Sequence, residues 1–339
     1  MIATTATPAT WPAYLALHAS GELAARAERA RRRLRDCVLC PRRCRVNRLA
    51  GELGSCHTGA RARVASAGPH FGEEAPLVGR SGSGTIFFAG CNLACVFCQN
   101  HDISQPEGDS TVTAGRALRW EIGAEELAEI MLRLQAVGCE NINLVSPSHV
   151  VPQILEALVL ASGRGLRLPL VYNTGGYDSL ATLRLLDGVI DIYMPDMKYA
   201  DEAVGLALSG VPDYVRRNRV AVREMHRQVG DLELDQRGVA RRGLLVRHLV
   251  LPGGLAGTVE VARFLVQEVS RDTYLNVMDQ YRPAHRVSPP YRGSLPGRVA
   301  TGSDACYWPE LRRPLATNEF WAAVAAVREA GLWRLDGHV

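Results

Sequence analysis

From residue 85 onward the chain alternates short apolar runs with longer segments whose apolar positions recur every three or four residues. The runs Thr85–Ala89, Asn141–Val145, Leu170–Asn173, Ile190–Met194, Leu244–Leu251 and Tyr274–Met278 predict six strands, each short, apolar and bounded by turn formers. Between them, Glu125–Val137 sets Leu127, Ile130, Met131 and Leu134 at i, i+3, i+4 and i+7, one face of a helix. Val151–Ala161, Ser179–Leu186, Pro212–Gln228 and Gly257–Ser270 continue the series, and Asp231–Arg242 reads as a polar hairpin ahead of the fifth strand. Strands alternating with helices imply βαβ units and a parallel sheet. With six such units and no seventh or eighth, the expected fold is α/β: a partial (β/α)6 barrel of the TIM type.

The flanks read differently. Residues 11–35 predict a helix with Leu15, Leu23, Ala27 and Ala30 on its apolar side. Its arginine-rich end, Arg26–Arg35, reads as a solvated face with pairs such as Glu28 and Arg32 four apart. Residues 37–60 show no periodicity and carry cysteines, and 61–84 are glycine-rich and loop-like. A proline-rich loop, Arg282–Pro296, precedes a last helix, Asn318–Ala330. The expected organisation is an N-terminal helix (1–36), a cysteine-rich module with linker (37–84), the barrel (85–281) and a C-terminal helical extension (282–339).

Composition narrows the class. A chain of 339 residues with 47% hydrophobic and 22% charged side chains is that of a folded protein, not a disordered one. No apolar run approaches the roughly 18–20 residues that span a bilayer. The start, Met1 to Ala6, lacks the basic and apolar regions of a secretory signal, so a cytoplasmic protein with no membrane partner is expected. A net charge of +4 is too mild to name a partner. Of 39 basic residues, however, Lys198 is the one lysine. Codon bias explains arginine wherever any positive charge serves; a lone lysine marks a place where a compact ammonium is wanted.

Nine cysteines in an odd count, with no signal, weigh against a disulfide framework. Seven of them fall in two tight groups, which reads as metal ligation, while Cys139 and Cys306 stand apart as buried, inert thiols. The sharper group is Cys91-Asn92-Leu93-Ala94-Cys95-Val96-Phe97-Cys98, directly after the first predicted strand. Three thiolates so spaced can hold three corners of a cubane iron–sulfur cluster. An electron-transfer cluster takes four cysteines, whereas a catalytic metal keeps one position open. The competing reading is zinc, or a four-cysteine cluster with a distant last ligand.

Those residues, within Gly84-Thr85-Ile86-Phe87-Phe88-Ala89-Gly90-Cys91 and on through Cys98-Gln99-Asn100, resemble the radical S-adenosylmethionine superfamily. Within it they are similar to the pyruvate formate-lyase activating enzymes and their uncharacterised relatives, a resemblance covering about residues 80–285. It implies a 4Fe-4S cluster on Cys91, Cys95 and Cys98, with S-adenosylmethionine bound to the open iron through its amino and carboxylate groups. Electron transfer to the sulfonium then releases a 5′-deoxyadenosyl radical that takes hydrogen from a substrate. It also implies Phe97 packed near the adenine and a low-potential electron donor of the flavodoxin or ferredoxin kind. The substrate would be a protein if the chain installs a glycyl radical, or else another peptide or a small molecule.

Strand C-termini carry the chemistry of α/β barrels, so the other rim residues are informative. After the second strand comes Ser146-Pro147-Ser148-His149 where the family has glycine-glycine-glutamate; Ser146, Ser148 and His149 are the candidates to take its place. The same segment has no G-x-S-x-G elbow of a serine hydrolase. Tyr172-Asn173-Thr174-Gly175-Gly176 resembles the family's aspartate-threonine-asparagine-glycine segment, and Met194-Pro195-Asp196-Met197-Lys198 its methionine-x-aspartate-x-lysine. The resemblance implies a monovalent cation held by Asn173, Thr174, Met194 and Asp196, with Asn173 neutral where the family has a charge. Lys198, Arg247 and Gln280 fall where cofactor contacts are expected.

The second group, Cys37, Cys40, Cys44 and Cys56, brings four soft ligands within twenty positions, which suits zinc or a second iron–sulfur cluster. A reading from a different class is a metal-stabilised module whose cysteine knuckle and arginine helix contact nucleic acid or protein. Sparse interleaving of basic and aromatic residues and the lack of a nucleic-acid motif make nucleic acid the lesser expectation.

Overall fold

The computed structural model describes residues 11–105, 121–287 and 308–336. Among these residues nine strands form one sheet: β1 (Ala62–His70), β2 (Ser83–Phe88), β3 (Glu121–Ile122), β4 (Ile142–Val145), β5 (Leu170–Thr174), β6 (Ile192–Pro195), β7 (Glu233–Leu234), β8 (Ala240–Leu249) and β9 (Tyr274–Met278). Their order is β3-β1-β2-β4-β5-β6-β8-β7, with β9 also on β8. The six predicted strands are β2, β4, β5, β6, β8 and β9, and all five junctions between them are parallel. The fold is therefore the expected mixed α/β architecture, an open partial barrel of parallel strands with helices outside. The predicted hairpin before the fifth strand is β7 turning antiparallel into β8.

Alternation along the strands separates two layers of core. Ile142, Leu144, Tyr172, Tyr193, Leu244 and Val246 face outward, into the main core with helices Ala124–Ala136, Val151–Gly163, Tyr214–Val229 and Thr258–Glu268. Their alternates Val171, Ile192, Met194 and Leu245 face inward. Leu77, wholly buried on the short helix Ala75–Val78, packs among these and plugs the interior. Truncating such a side chain costs about 2–5 kcal/mol.

Three expectations change. The stretch 61–84 is not a loop: its first part is β1, antiparallel to β2. Among the described residues only Ala62 and Arg63 also pair with β3, so within them residues 66–70 carry pairing on one side alone, where Gly68 and Pro69 are tolerated and blur the alternation. The single helix over 11–35 is two, Tyr14–Ala19 and Glu22–Arg32, broken at Gly21, whose φ of 79° is left-handed. The predicted Ser179–Leu186 helix shortens to Leu180–Leu183, and an unforeseen helix occupies Glu202–Ser209. The Glu28–Arg32 pair forms as expected, at 3.2 Å, and both partners are exposed. Tyr14, Leu23, Ala27 and Ala30 enter the same core as the strands. Among the described residues no helix is long and apolar enough to cross a membrane.

Candidate active site

The three-cysteine segment leaves the C-terminal end of β2 through Gly90. Its φ is 82°, and a Cβ there would stand 2.3 Å from the Cys56 carbonyl, so only glycine fits. The segment is tied to helix Glu202–Ser209 by Ala94 N–H to Ser209 O (3.1 Å) and Val96 N–H to Leu208 O (2.9 Å). Cys95 Sγ lies 3.0 Å from Ser209 Oγ, and Cys98 Sγ lies 3.2 Å from Ser104 Oγ. The Leu93 amide donates to Cys91 Sγ at 3.4 Å. Burial pushes the Cys91 thiol up to about 12, and the neighbouring Cys95 and Cys98 act in the same direction. Burial also raises Cys95, against the pull of the Lys198 ammonium. Thiols so placed need a bound cation to become the thiolates that ligate.

Facing them is a buried ion network. Asp196, just beyond β6, accepts from Lys198 Nζ at 2.6 Å and from Arg247 of β8 through Nε and Nη2, each at 2.9 Å. Burial would raise the Asp196 carboxyl, but Arg247 and Lys198 outweigh it and hold it below the usual carboxylate range. Lys198 is raised in turn: burial works against its charge, and Asp196 and Cys95 overcome that. Helix Tyr214–Val229 fixes the backbone beneath. The Lys198 amide donates to Tyr214 Oη at 3.1 Å, and Asn218 Nδ2 donates to the carbonyls of Asp196 (2.8 Å) and Gly176 (3.1 Å). Gly176 has φ 76°, and a Cβ on it would lie 2.2 Å from the Asp196 carbonyl. The expected Gly175-Gly176 turn is thus what lets the β5 and β6 ends close on each other.

The remaining sequence candidates divide. Asn173 and Met194 are adjacent in register on β5 and β6, and both are buried. Thr174 Oγ1 and Ser148 Oγ each donate to Asp178 at 2.7 Å, joined by Tyr172 Oη at 3.0 Å, so these hydroxyls serve a buried carboxylate. Both oxygens of Asp196 are likewise engaged, Oδ2 by Lys198 and Oδ1 by Arg247. Ser146 takes a left-handed φ of 58°, and its amide donates to Asn173 O at 2.8 Å. His149 is turned away from the rim network: its Nε2 lies 3.0 Å from Ala89 O and its carbonyl accepts from Arg48 at 2.7 Å. Burial, with Arg48 beside it, brings its pKa down to about 3. Phe97 is buried edge-to-face against Tyr199 and Tyr281, with ring centroids 6.5 and 5.9 Å away. Gln280 is exposed and donates to Met278 Sδ at 3.4 Å. Cys139 is a buried free thiol; Cys306 lies outside the described residues.

Sequence reasoning missed the acidic floor. Glu73 and Glu74 precede the Ala75–Val78 plug, and Glu74 Oε1 accepts from Asn276 of β9 at 3.0 Å and lies 4.0 Å from Arg247 Nε. Burial raises the Glu73 carboxyl. The Asn143 amide, wholly buried on β4, lies beside Glu73 and among the described residues has no partner in full hydrogen-bond geometry. No periodicity marks Glu73 or Glu74, because the segment has no regular element before residue 75.

The N-terminal cysteines lie next door. Cys37, Cys40, Cys44 and Cys56 line one pocket, which His149 and Asn92, the residue after Cys91, also reach. Arg42 clamps the two groups together, donating to Asn92 O at 2.8 Å and Gly210 O at 3.0 Å.

Fold and site together define a parallel α/β partial barrel with a three-cysteine loop and a buried lysine–aspartate–arginine network at its C-terminal rim. The chain belongs to the family of the uncharacterized protein MJ0674 of Methanocaldococcus jannaschii, to which it is 31% identical over 265 residues, 77% of this chain and 70% of that protein. No model of a protein family matches the sequence. Among solved structures it is similar to a radical SAM methyltransferase from Sphaerobacter thermophilus, at a TM-score of 0.43 and 13% identity, covering 73% of this chain and 64% of that one. It is also similar to Streptococcus suis SuiB bound to S-adenosylmethionine, at 0.38 and 13%, over 56% and 38% of the two chains. At these scores the likenesses assign neither fold nor chemistry.

Proposed function

We propose that the chain is a radical S-adenosylmethionine enzyme. The observation that carries this reading is the C-x3-C-x2-C loop gathered at the rim of a parallel barrel, with no fourth cysteine in it and the Lys198–Asp196–Arg247 network opposite. The donor set fits a 4Fe-4S cluster with one open corner: three thiols on one turn, hydroxyls of Ser209 and Ser104 beside two of them, and a lysine close enough to Cys95 to offset thiolate charge. When bound, that cluster supplies the electron that cleaves S-adenosylmethionine reductively to methionine and a 5′-deoxyadenosyl radical. Cys91, Cys95 and Cys98 hold it. Lys198 presents a compact ammonium at the rim, oriented by Asp196, to a carboxylate or hydroxyl of the cofactor. Leu93, Val96 and Phe97, all buried, keep water from the loop's inner side.

The finer reading is that hydrogen is taken from a protein partner to install a glycyl radical, with a flavodoxin-like or ferredoxin-like donor in the cytoplasm. Its support is the sequence resemblance around Cys91–Cys98, and fold does not choose the substrate. Anaerobic reconstitution with iron and sulfide, dithionite reduction and assay of 5′-deoxyadenosine test the chemistry. Wild type should form it; Cys95→Ala should not, while Cys139→Ala should match wild type. Full activity in Cys95→Ala removes the central claim.

A further inference from the structure

We propose that Cys37, Cys40, Cys44 and Cys56 bind a single tetrahedral metal ion, of which zinc is the best match to four thiolates, independently of any centre on Cys91, Cys95 and Cys98. The four side chains converge on one pocket although they span twenty residues of irregular chain. The cavity they enclose is small, ≈ 10 Å³. That is room for about one water. Four soft ligands around so small an opening match a single tetrahedral ion. Among the described residues no three Cys, His, Asp or Glu side chains already stand at ligating distances, so the ion draws the thiols inward on binding. Tetrahedral zinc sites hold sulfur at about 2.3 Å.

Charge supplies an independent argument. Arg48 is 1% exposed, and its guanidinium donates to two carbonyls, Gly59 O at 3.0 and 2.8 Å and His149 O at 2.7 Å, and at 4.0 Å to Cys37 Sγ. No carboxylate pairs with it among the described residues. Arg63, also buried, donates to His57 O at 2.8 Å, has the Glu121 carboxylate acting on it, and leaves Nε without a partner among the described residues. A buried cation that is not paired is costly, and neutral thiols bring no counter-charge. Four thiolates around a dication carry two negative charges, which two adjacent guanidinium groups can balance. The backbone is bent to suit. Arg43 and Arg45, either side of Cys44, and His57, after Cys56, all have left-handed φ of 47°, 61° and 51° without being glycine. A Cβ on Gly54 would stand 2.9 Å from Cys44 Sγ, so the second half of the knuckle closes directly over that thiol. Strain of this kind persists where the surroundings over-determine it.

The experiment uses the full chain with Cys91, Cys95 and Cys98 all replaced by alanine, so that no metal can reside on the barrel loop. Elemental analysis after dialysis should find about one zinc and no sulfide per chain. Adding Cys40→Ser and Cys44→Ser should remove it. Cobalt in place of zinc should give the intense thiolate charge-transfer bands of a tetrahedral tetrathiolate. Because the added serines could unfold the knuckle, a second measurement uses wild type. The four N-terminal cysteines should resist alkylation, read by peptide mass, until a chelator is added, when all four should react together. A triple variant that is folded by circular dichroism and free of metal would overturn the proposal. So would one equivalent of zinc retained after Cys40→Ser and Cys44→Ser, or iron with inorganic sulfide at this site.

Discussion

Replacing Asp196 by asparagine removes the one carboxylate that Lys198 and Arg247 share. Three charge-assisted contacts disappear, one of 2.6 Å and two of 2.9 Å, and two cations are left facing each other. Side-chain exposures of 13% for Asp196, 18% for Lys198 and 20% for Arg247 leave little water to replace it. Breaking a buried pair from one side costs about 3–5 kcal/mol. Glu74, 4.0 Å from Arg247, returns some of that, so the lower end, about 3 kcal/mol, is expected at pH 7. Urea unfolding under anaerobic conditions reads it: with a slope of roughly 3 kcal/mol/M, the midpoint falls by about 1 M. Lys198→Met keeps the two-point Arg247 contact and should cost less, and the double variant should be more stable than Asp196→Asn alone. Asp196 is held below its unfolded pKa, so its contribution is present above about pH 4 and lost as pH falls further. The gap between wild type and variant should therefore close in acid. An Asp196→Asn midpoint at pH 7 within about 0.5 kcal/mol of wild type would show that the network does not hold the rim together.

Ser209→Ala removes the hydroxyl 3.0 Å from Cys95 Sγ and should move the potential of the reconstituted cluster to more negative values, since hydrogen bonds to cluster sulfur favour the reduced state. A redox titration followed by paramagnetic resonance checks this; an unchanged or higher potential counts against the contact. Asp191 accepts from the amides of Ala13 (3.0 Å) and Leu170 (3.1 Å), yet burial pushes it up to about 7. The folded chain then holds a proton that the unfolded chain, with a pKa near 3.9, releases, so this stability is present below about pH 4 and lost as pH rises to 7. The change is about 4 kcal/mol, and Asp191→Asn should flatten the urea midpoint over that range; identical profiles would refute it.

The six barrel strands were legible because each contains a short apolar run, buried on both faces in β4, β5 and β6, and set between helical segments. The cysteine loop was legible because ligand spacing survives without knowledge of the fold. β1 was not, since an edge strand can carry Gly68 and Pro69 and half of its alternation faces solvent. Rim residues were identified by position along strands, and for Asp196, Lys198 and Arg247 position sufficed to bring them together. It could not show that Thr174 and Ser148 serve Asp178, or that His149 faces the N-terminal cysteines, because those contacts join chain segments that no local pattern relates. Glu73, Glu74 and Arg48 escaped for the same reason: each gains its meaning from a partner far along the chain.

In a closed barrel, strand number and stagger fix the interior's width. Here the last junction is made otherwise: the β1–β2 connection reaches across to the far side of the sheet, and Glu74 meets Asn276 on β9 and Arg247 on β8. The circumference is completed by side chains at this seam. Opening that seam means releasing these two contacts together with the Leu77 packing and the Gln99–Arg282 pair, with every strand junction left intact. The width of the interior on this side is therefore set by side chains, so a substitution there can change it without altering a single strand pairing.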